Sequence, residues 1–180
     1  MIIVCPYDGV EKALARYRPS SAISILDQGE RPPAMPGVAS DQHLALCLSM
    51  AAAEMMQAGC REQEEKCLRE LLDFAPRIDW TRGLLVHCRL GISRSPAAAF
   101  IIQCALNPGV SESDIAAAMR AESDYIDPSL MMVTRADSLL DRDGRMIDAI
   151  EEIGIGDCCL AGNTFVLPFQ PAQHSARTTA

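Results

Sequence analysis

The sequence lacks a long apolar run and an excess of positive charge. A membrane helix needs roughly 18 or more consecutive apolar residues, and no stretch of the chain approaches that length. Acidic residues number 24 against 16 basic ones, and the resulting net charge of −8 would repel the phosphate backbone of a nucleic acid. We therefore expect no membrane and no nucleic acid among the partners of this protein.

Secretory and disulfide signals are missing as well. The apolar residues Met1 to Val4 are followed by Pro6 and Asp8, so no signal-peptide core forms at the N-terminus. None of the eight cysteines belongs to a Cys-x-x-Cys unit, and a chain of this length can bury a core without disulfides. The sequence therefore predicts a reduced, cytoplasmic protein.

The composition that remains is that of one globular domain, with 180 residues, 49% hydrophobic and 22% charged. Short apolar strands alternate with amphipathic helices along the chain. Strands are predicted at 2–5, 22–26, 44–48 and 84–86, and helices at 10–17, 61–75, 97–105, 111–121, 128–140 and 145–153. This alternation is typical of an α/β fold with a central, mostly parallel sheet flanked by helices. We assign residues 1–153 to this domain and expect 154–180 to form an irregular C-terminal tail.

One short stretch organises the rest of the chain: the strand ending at Val86 runs into a tight loop, and Pro96 then opens an apolar helix. In this loop (the Cys88 loop, residues 88–94) five residues separate Cys88 from Arg94. The free N–H groups of a helix start favour bound negative charge, and a thiol held there ionises more readily. The planar guanidinium of Arg94 can donate hydrogen bonds to two oxygens of a tetrahedral anion. These residues predict an anion site with a cysteine nucleophile.

The stretch also matches a known signature. This stretch resembles the phosphate-binding loop of the protein tyrosine phosphatase superfamily over the run His87-Cys88-Arg89-Leu90-Gly91-Ile92-Ser93-Arg94-Ser95. The surrounding chain resembles the small bacterial dual-specificity-like members of that superfamily. A buried cysteine after an apolar strand is more often only a core residue. That interpretation leaves Arg94 beside an apolar helix without a counter-charge, which a bound phosphate would supply. The loops of sulfurtransferases are shorter, so the spacing favours phosphate.

The resemblance implies a mechanism without a metal or cofactor. The thiolate of Cys88 would attack phosphorus, and water would then hydrolyse the phosphocysteine. Arg94 and the main-chain amides of residues 89–94 would bind the phosphoryl oxygens. Ser95 would stabilise the thiolate when it leaves, and His87 would support the loop from behind.

The general acid of the family is not evident in this chain. It normally is an aspartate that follows an earlier strand, but the strand at 44–48 is followed by the run Ser49-Met50-Ala51-Ala52-Ala53-Glu54-Met55-Met56. Glu54 is the nearest carboxyl group, and general acid catalysis depends on reach and pKa more than on residue type. We therefore take Glu54 as the candidate acid. The alternatives are Asp41, Asp79 and Asp127.

Three functions remain open from the sequence. The first is hydrolysis of phosphotyrosine, with phosphoserine or phosphothreonine as further substrates, in a phosphorylated protein or a small phosphomonoester. The second is a phosphate-binding interaction module of the pseudophosphatase kind, because the acid is missing. The third is hydrolysis of inositol phosphates, which the apolar Leu90 and Ile92 disfavour because loops for such polyanions often hold lysines.

A redox partner for Cys88 is a further expectation, because a readily ionised thiol is also readily oxidised. Cys47 lies at the end of the third predicted strand, which we expect to run beside the strand that leads to Cys88. We therefore favour Cys47 as the partner over Cys104 and the tail pair Cys158-Cys159. Mild oxidation would then join Cys47 and Cys88 in a disulfide. The alternative is that Cys47 only fills the core.

Overall fold

The computed structural model describes residues 1–48 and 60–169. The strands are β1 (Ile2–Pro6), β2 (Ser21–Leu26), β3 (His43–Cys47), β4 (Leu84–Cys88) and β5 (Phe165–Leu167). The helices are α1 (Val10–Tyr17), α2 (Cys60–Phe74), α3 (Arg94–Leu106), α4 (Glu112–Glu122), α5 (Leu130–Leu139) and α6 (Arg145–Ile153). None of the described helices is long and apolar enough to cross a membrane.

The five described strands form one sheet in the order β3-β2-β4-β1-β5. Pairing is parallel from β3 through β2 and β4 to β1, and β5 is antiparallel to β1. The predicted α/β fold with a mostly parallel central sheet is therefore confirmed. Because the parallel strands all point the same way, their carboxyl ends meet at one edge, and Cys88 lies at that edge at the end of β4.

Helices cover both faces of the sheet. On one face, Val4 and Val86 pack with the apolar side of α3, which is buried from Arg94 to Cys104. On the other face, Ile3 and Leu85 pack against α1. Strands buried on both faces read as continuous apolar runs rather than alternating ones, which is why the sequence could locate them.

Two predictions are corrected by the sheet. The tail predicted to be irregular from residue 154 contains β5, whose Val166 lies opposite Ile3 of β1. Strand β3 does not run beside β4, because β2 lies between them and Cys47 is opposite Leu26. The prediction of a Cys47–Cys88 disulfide was based on adjacent strands, and that basis is wrong.

Candidate active site

The Cys88 sulfur lies in the turn between β4 and α3. Cys88 is 2% exposed, and its Sγ accepts a hydrogen bond from the Gly91 N–H at 3.3 Å. The hydroxyl of Ser95 lies 3.2 Å from the same sulfur, at the second position of α3. The thiol is thus held by one loop amide and one hydroxyl at the start of a helix, where free N–H groups favour negative charge.

Three carbonyl groups of the Cys88 loop accept hydrogen bonds from backbone N–H groups of other segments. The carbonyl of Arg89 accepts from Tyr7 at 3.2 Å, and that of Leu90 accepts from Gly162 at 2.8 Å. Ile92 accepts from the N–H of Asp127 at 2.9 Å. In a trans peptide the N–H of the next residue points opposite to the carbonyl. The Gly91 N–H, which follows the Leu90 carbonyl, accordingly points away from Gly162 and donates to the Cys88 sulfur.

A segment predicted from the sequence to be an irregular tail thus contacts the loop. Besides donating its N–H to Leu90, Gly162 lies so close to the loop that an added Cβ would be 2.9 Å from the carbonyl oxygen of Gly91. Only the glycine itself signals this contact in the sequence, and a lone glycine in a polar stretch usually indicates no more than a turn.

Arg94 is the first residue of α3, and its side chain is 8% exposed. Its Nη1 and Nη2 donate to the two carboxylate oxygens of Asp27 at 2.8 and 3.0 Å, and Nη1 also donates to the carbonyl of Leu48 at 2.8 Å. The sequence-based argument that Arg94 lacks a counter-charge is therefore wrong. Asp27 follows the last residue of β2, and no pattern in the sequence predicts a role for it.

His87 lies on the face of β4 opposite Cys88, since successive strand residues point to opposite sides. Its Nε2 is 2.7 Å from the hydroxyl of Ser24, which is itself 2.8 Å from Nε2 of His43. Burial lowers the pKa of His87 to about 4 and also lowers the pKa of His43. Both rings are therefore neutral near pH 7, and the single Ser24 proton can be donated to only one of them. A neutral, fully buried His87 suits a supporting role behind the loop.

The structure separates the candidate acids. Asp41 lies two residues before the start of β3, and the N–H of Asp79 donates to Ser21 at the start of β2, so both lie at the edge of the sheet opposite Cys88. Asp127 is exposed, and its backbone is bonded to the Cys88 loop. Glu54, the first candidate, lies outside the described residues.

No cluster of three or more His, Cys, Asp or Glu side chains suited to a metal occurs among the residues that the structure describes. The site is instead built from amides, a thiol, a hydroxyl and a guanidinium. Such a set can bind a tetrahedral oxyanion and present a nucleophile to its centre.

The fold is similar to solved structures of phosphatases at low sequence identity. The Cydia pomonella PTP-2 phosphatase is 14% identical with a TM-score of 0.54, over 76% of this chain and 84% of that one. Human DUSP28 is 15% identical with a TM-score of 0.54, over 78% of this chain and 92% of that one. DUSP15 is 12% identical with a TM-score of 0.52, over 84% and 89% of the two chains. No family model matches the chain, and no curated protein matches it in sequence. The resemblance to the protein tyrosine phosphatase superfamily is therefore confirmed for the fold.

Proposed function

We propose that this protein is a cysteine-dependent phosphatase that hydrolyses phosphotyrosine in proteins through a phosphocysteine at Cys88. The observation that carries the proposal is the Cys88 loop, in which three carbonyls are bonded to neighbouring backbone while the Gly91 N–H and the Ser95 hydroxyl lie against the Cys88 sulfur. The fold shared with phosphatases and the position of Arg94 at the start of α3 support the same function.

The chemistry requires two displacements at phosphorus. In the first, the electron pair of the Cys88 thiolate forms an S–P bond while the bond to the ester oxygen breaks, and a proton reaches the leaving oxygen. In the second, water attacks phosphorus, and the thiolate leaves with the hydroxyl of Ser95 donating a hydrogen bond to it. The amides and Arg94 stabilise the charge on the equatorial oxygens in both transition states.

The charge around the site supports a monophosphate substrate over an inositol polyphosphate. Both arginines of the loop are paired with carboxylates, Arg94 with Asp27 and Arg89 with Glu30 at 2.8 Å. The pairing offsets most of the positive charge that a polyanionic headgroup would need. Leu90 is 47% exposed beside the site and offers an apolar contact to an aromatic ester.

Replacement of Cys88 tests the proposed function. Cys88→Ser should abolish turnover of aryl phosphates while vanadate and inorganic phosphate still bind, because the hydroxyl is a far weaker nucleophile among the same donors. Cys104→Ser changes a buried cysteine in the last turn of α3 and is the matched control. Retained turnover in Cys88→Ser would contradict the proposal. Phosphate binding by a wild type that turns over no substrate would instead support the interaction module.

We propose Glu54 as the proton donor, with Asp127 as the alternative because its backbone contacts the loop. An alkoxide leaving group needs protonation, whereas a good phenol leaving group does not. Glu54→Gln should therefore slow alkyl phosphates strongly and activated aryl phosphates little. The same pattern in Asp127→Asn, with Glu54→Gln unchanged, would assign the acid to Asp127. A steep leaving-group dependence already present in the wild type would show that no protein acid acts.

A further inference from the structure

The two arginines of the Cys88 loop are held by one acidic turn. This turn (the acidic turn, residues 27–30) follows β2 and closes with a hydrogen bond from the Glu30 N–H to the Asp27 carbonyl at 3.1 Å. Oε2 of Glu30 accepts from the Asp27 N–H at 2.9 Å, and Oε1 accepts from Arg89 at 2.8 Å. The turn is therefore fixed internally and bonded to the loop at Arg89, which leaves the Asp27 side chain well placed to hold Arg94.

The contacts of Arg94 use only part of its guanidinium. A guanidinium carries five N–H donors. Asp27 takes one from Nη1 and one from Nη2, and the Leu48 carbonyl takes the second from Nη1. The Nε–H and the other Nη2–H lie side by side on the remaining edge. That edge can donate two parallel hydrogen bonds to a phosphoryl group while Asp27 stays bound.

We propose, given the phosphatase function above, that Asp27 is a positioning residue that holds Arg94 with its Nε–Nη2 edge toward the phosphoryl group over Cys88. An unheld arginine side chain samples many rotamers, and binding would have to overcome that conformational entropy. Asp27 removes that freedom before the ligand arrives, so the donors need no reorganisation. Its role is to orient Arg94 rather than to touch the substrate.

If Asp27 acted only through its charge, replacing it would change phosphate binding in the opposite direction. The carboxylate neutralises Arg94 and repels an incoming dianion, so its removal would then strengthen phosphate binding. The Asp27 side chain is 37% exposed, and solvent and salt weaken this repulsion. Arg94 is 8% exposed, so the loss of its two carboxylate bonds leaves an interior guanidinium free to turn toward other acceptors. We therefore expect the loss of orientation to outweigh the loss of repulsion when Asp27 is replaced.

Two variants separate orientation from charge. Asp27→Asn removes the charge and one acceptor at constant size, and Asp27→Glu keeps the charge but moves the carboxylate by one methylene. Binding of inorganic phosphate by calorimetry should weaken about tenfold in Asp27→Asn and several-fold in Asp27→Glu. The value of kcat/KM for an aryl phosphate should fall by a similar factor. Asp114→Asn removes an exposed charge in the first turn of α4 and should leave both quantities unchanged.

Unchanged or tighter phosphate binding in Asp27→Asn would overturn the proposal, as would wild-type binding by Asp27→Glu. Thermal unfolding shows whether each variant folds. If Asp27→Asn does not fold, phosphate binding by Asp27→Glu alone tests the proposal, because this variant keeps both charges of the ion pair. Phosphate binding needs no turnover. An inactive wild type would therefore overturn the proposed function and leave this test valid, whereas an active wild type with an unaffected Asp27→Asn would overturn only the role of Asp27.

Discussion

Replacement of Gly91 by alanine measures how tightly the Cys88 loop is set against β1. Gly91 has a φ of +70°, and a Cβ at this position would lie 2.6 Å from the backbone nitrogen of Pro6 and 2.9 Å from the carbonyl carbon of Cys5. Non-bonded carbon atoms are at their best separation at about 3.5–4.0 Å. The atoms that a new methyl group would meet are backbone atoms of β1, a strand paired on both sides, so they cannot swing aside as a flexible side chain does.

The expected cost has two parts. The left-handed backbone conformation costs an L-residue about 1 kcal/mol relative to glycine. Forcing a methyl group into packed backbone adds about 2 kcal/mol. Gly91→Ala should therefore lower the free energy of unfolding by about 3 kcal/mol. It should also weaken phosphate binding, because the Gly91 N–H that reaches the Cys88 sulfur must move.

Gly37→Ala is the matched control. Gly37 has a φ of +88°, but no heavy atom lies within 4 Å of its added Cβ. Only the cost of the left-handed backbone conformation applies at Gly37, so the free energy of unfolding should fall by about 1 kcal/mol and phosphate binding should not change. Urea unfolding of both variants gives the comparison directly. Equal losses in the two variants, or wild-type phosphate affinity in Gly91→Ala, would refute the close contact between loop and strand.

Three further predictions concern His87, Glu112 and Gly162. Burial lowers the pKa of His87 from 6.5 to about 4, so the unfolded chain takes up the proton first as the pH falls. The free energy of unfolding should therefore drop between pH 6.5 and 4, on the order of 3 kcal/mol for this group, and His87→Gln should flatten the urea-derived profile. Glu112→Ala leaves the buried Arg142 without its carboxylate and should cost about 3 kcal/mol by thermal unfolding, against at most about 0.5 kcal/mol for the exposed Glu65→Ala. Gly162→Ala should weaken phosphate binding in calorimetry, because its methyl group would lie 2.9 Å from a loop carbonyl; an unchanged affinity would contradict that contact.

Features that depend on residues close in sequence could be predicted well. Helix α6 begins and ends at Arg145 and Ile153 as predicted, because Gly144 and Gly154 flank a clear apolar face. The strand, loop and helix around Cys88 were predicted for the same reason. The two groups that lie within hydrogen-bond distance of the sulfur, the Gly91 N–H and the Ser95 hydroxyl, are within seven residues of Cys88 in sequence.

Features that depend on distant parts of the chain could not be predicted. Asp27 is 67 residues from Arg94, and nothing in the local pattern of either residue indicates the pair. The place of β3 at the edge of the sheet depends on strand order, which alternation alone does not determine, so Cys47 was assigned to the wrong neighbour. Strand β5 has three residues, too few to show a period, and it is stabilised by pairing with β1.

The proposal that Cys88 carries a phosphoryl group is tested most directly by trapping the intermediate. The Ser95 hydroxyl lies 3.2 Å from the Cys88 sulfur, and its loss should slow departure of the thiolate more than the first attack. Ser95→Ala, mixed with an aryl phosphate and quenched in denaturant, should show a burst of phenol release. Peptide mapping by mass spectrometry should then place one phosphoryl group on Cys88. A phosphoryl group on another residue, or continued turnover after Cys88→Ser, would contradict the account.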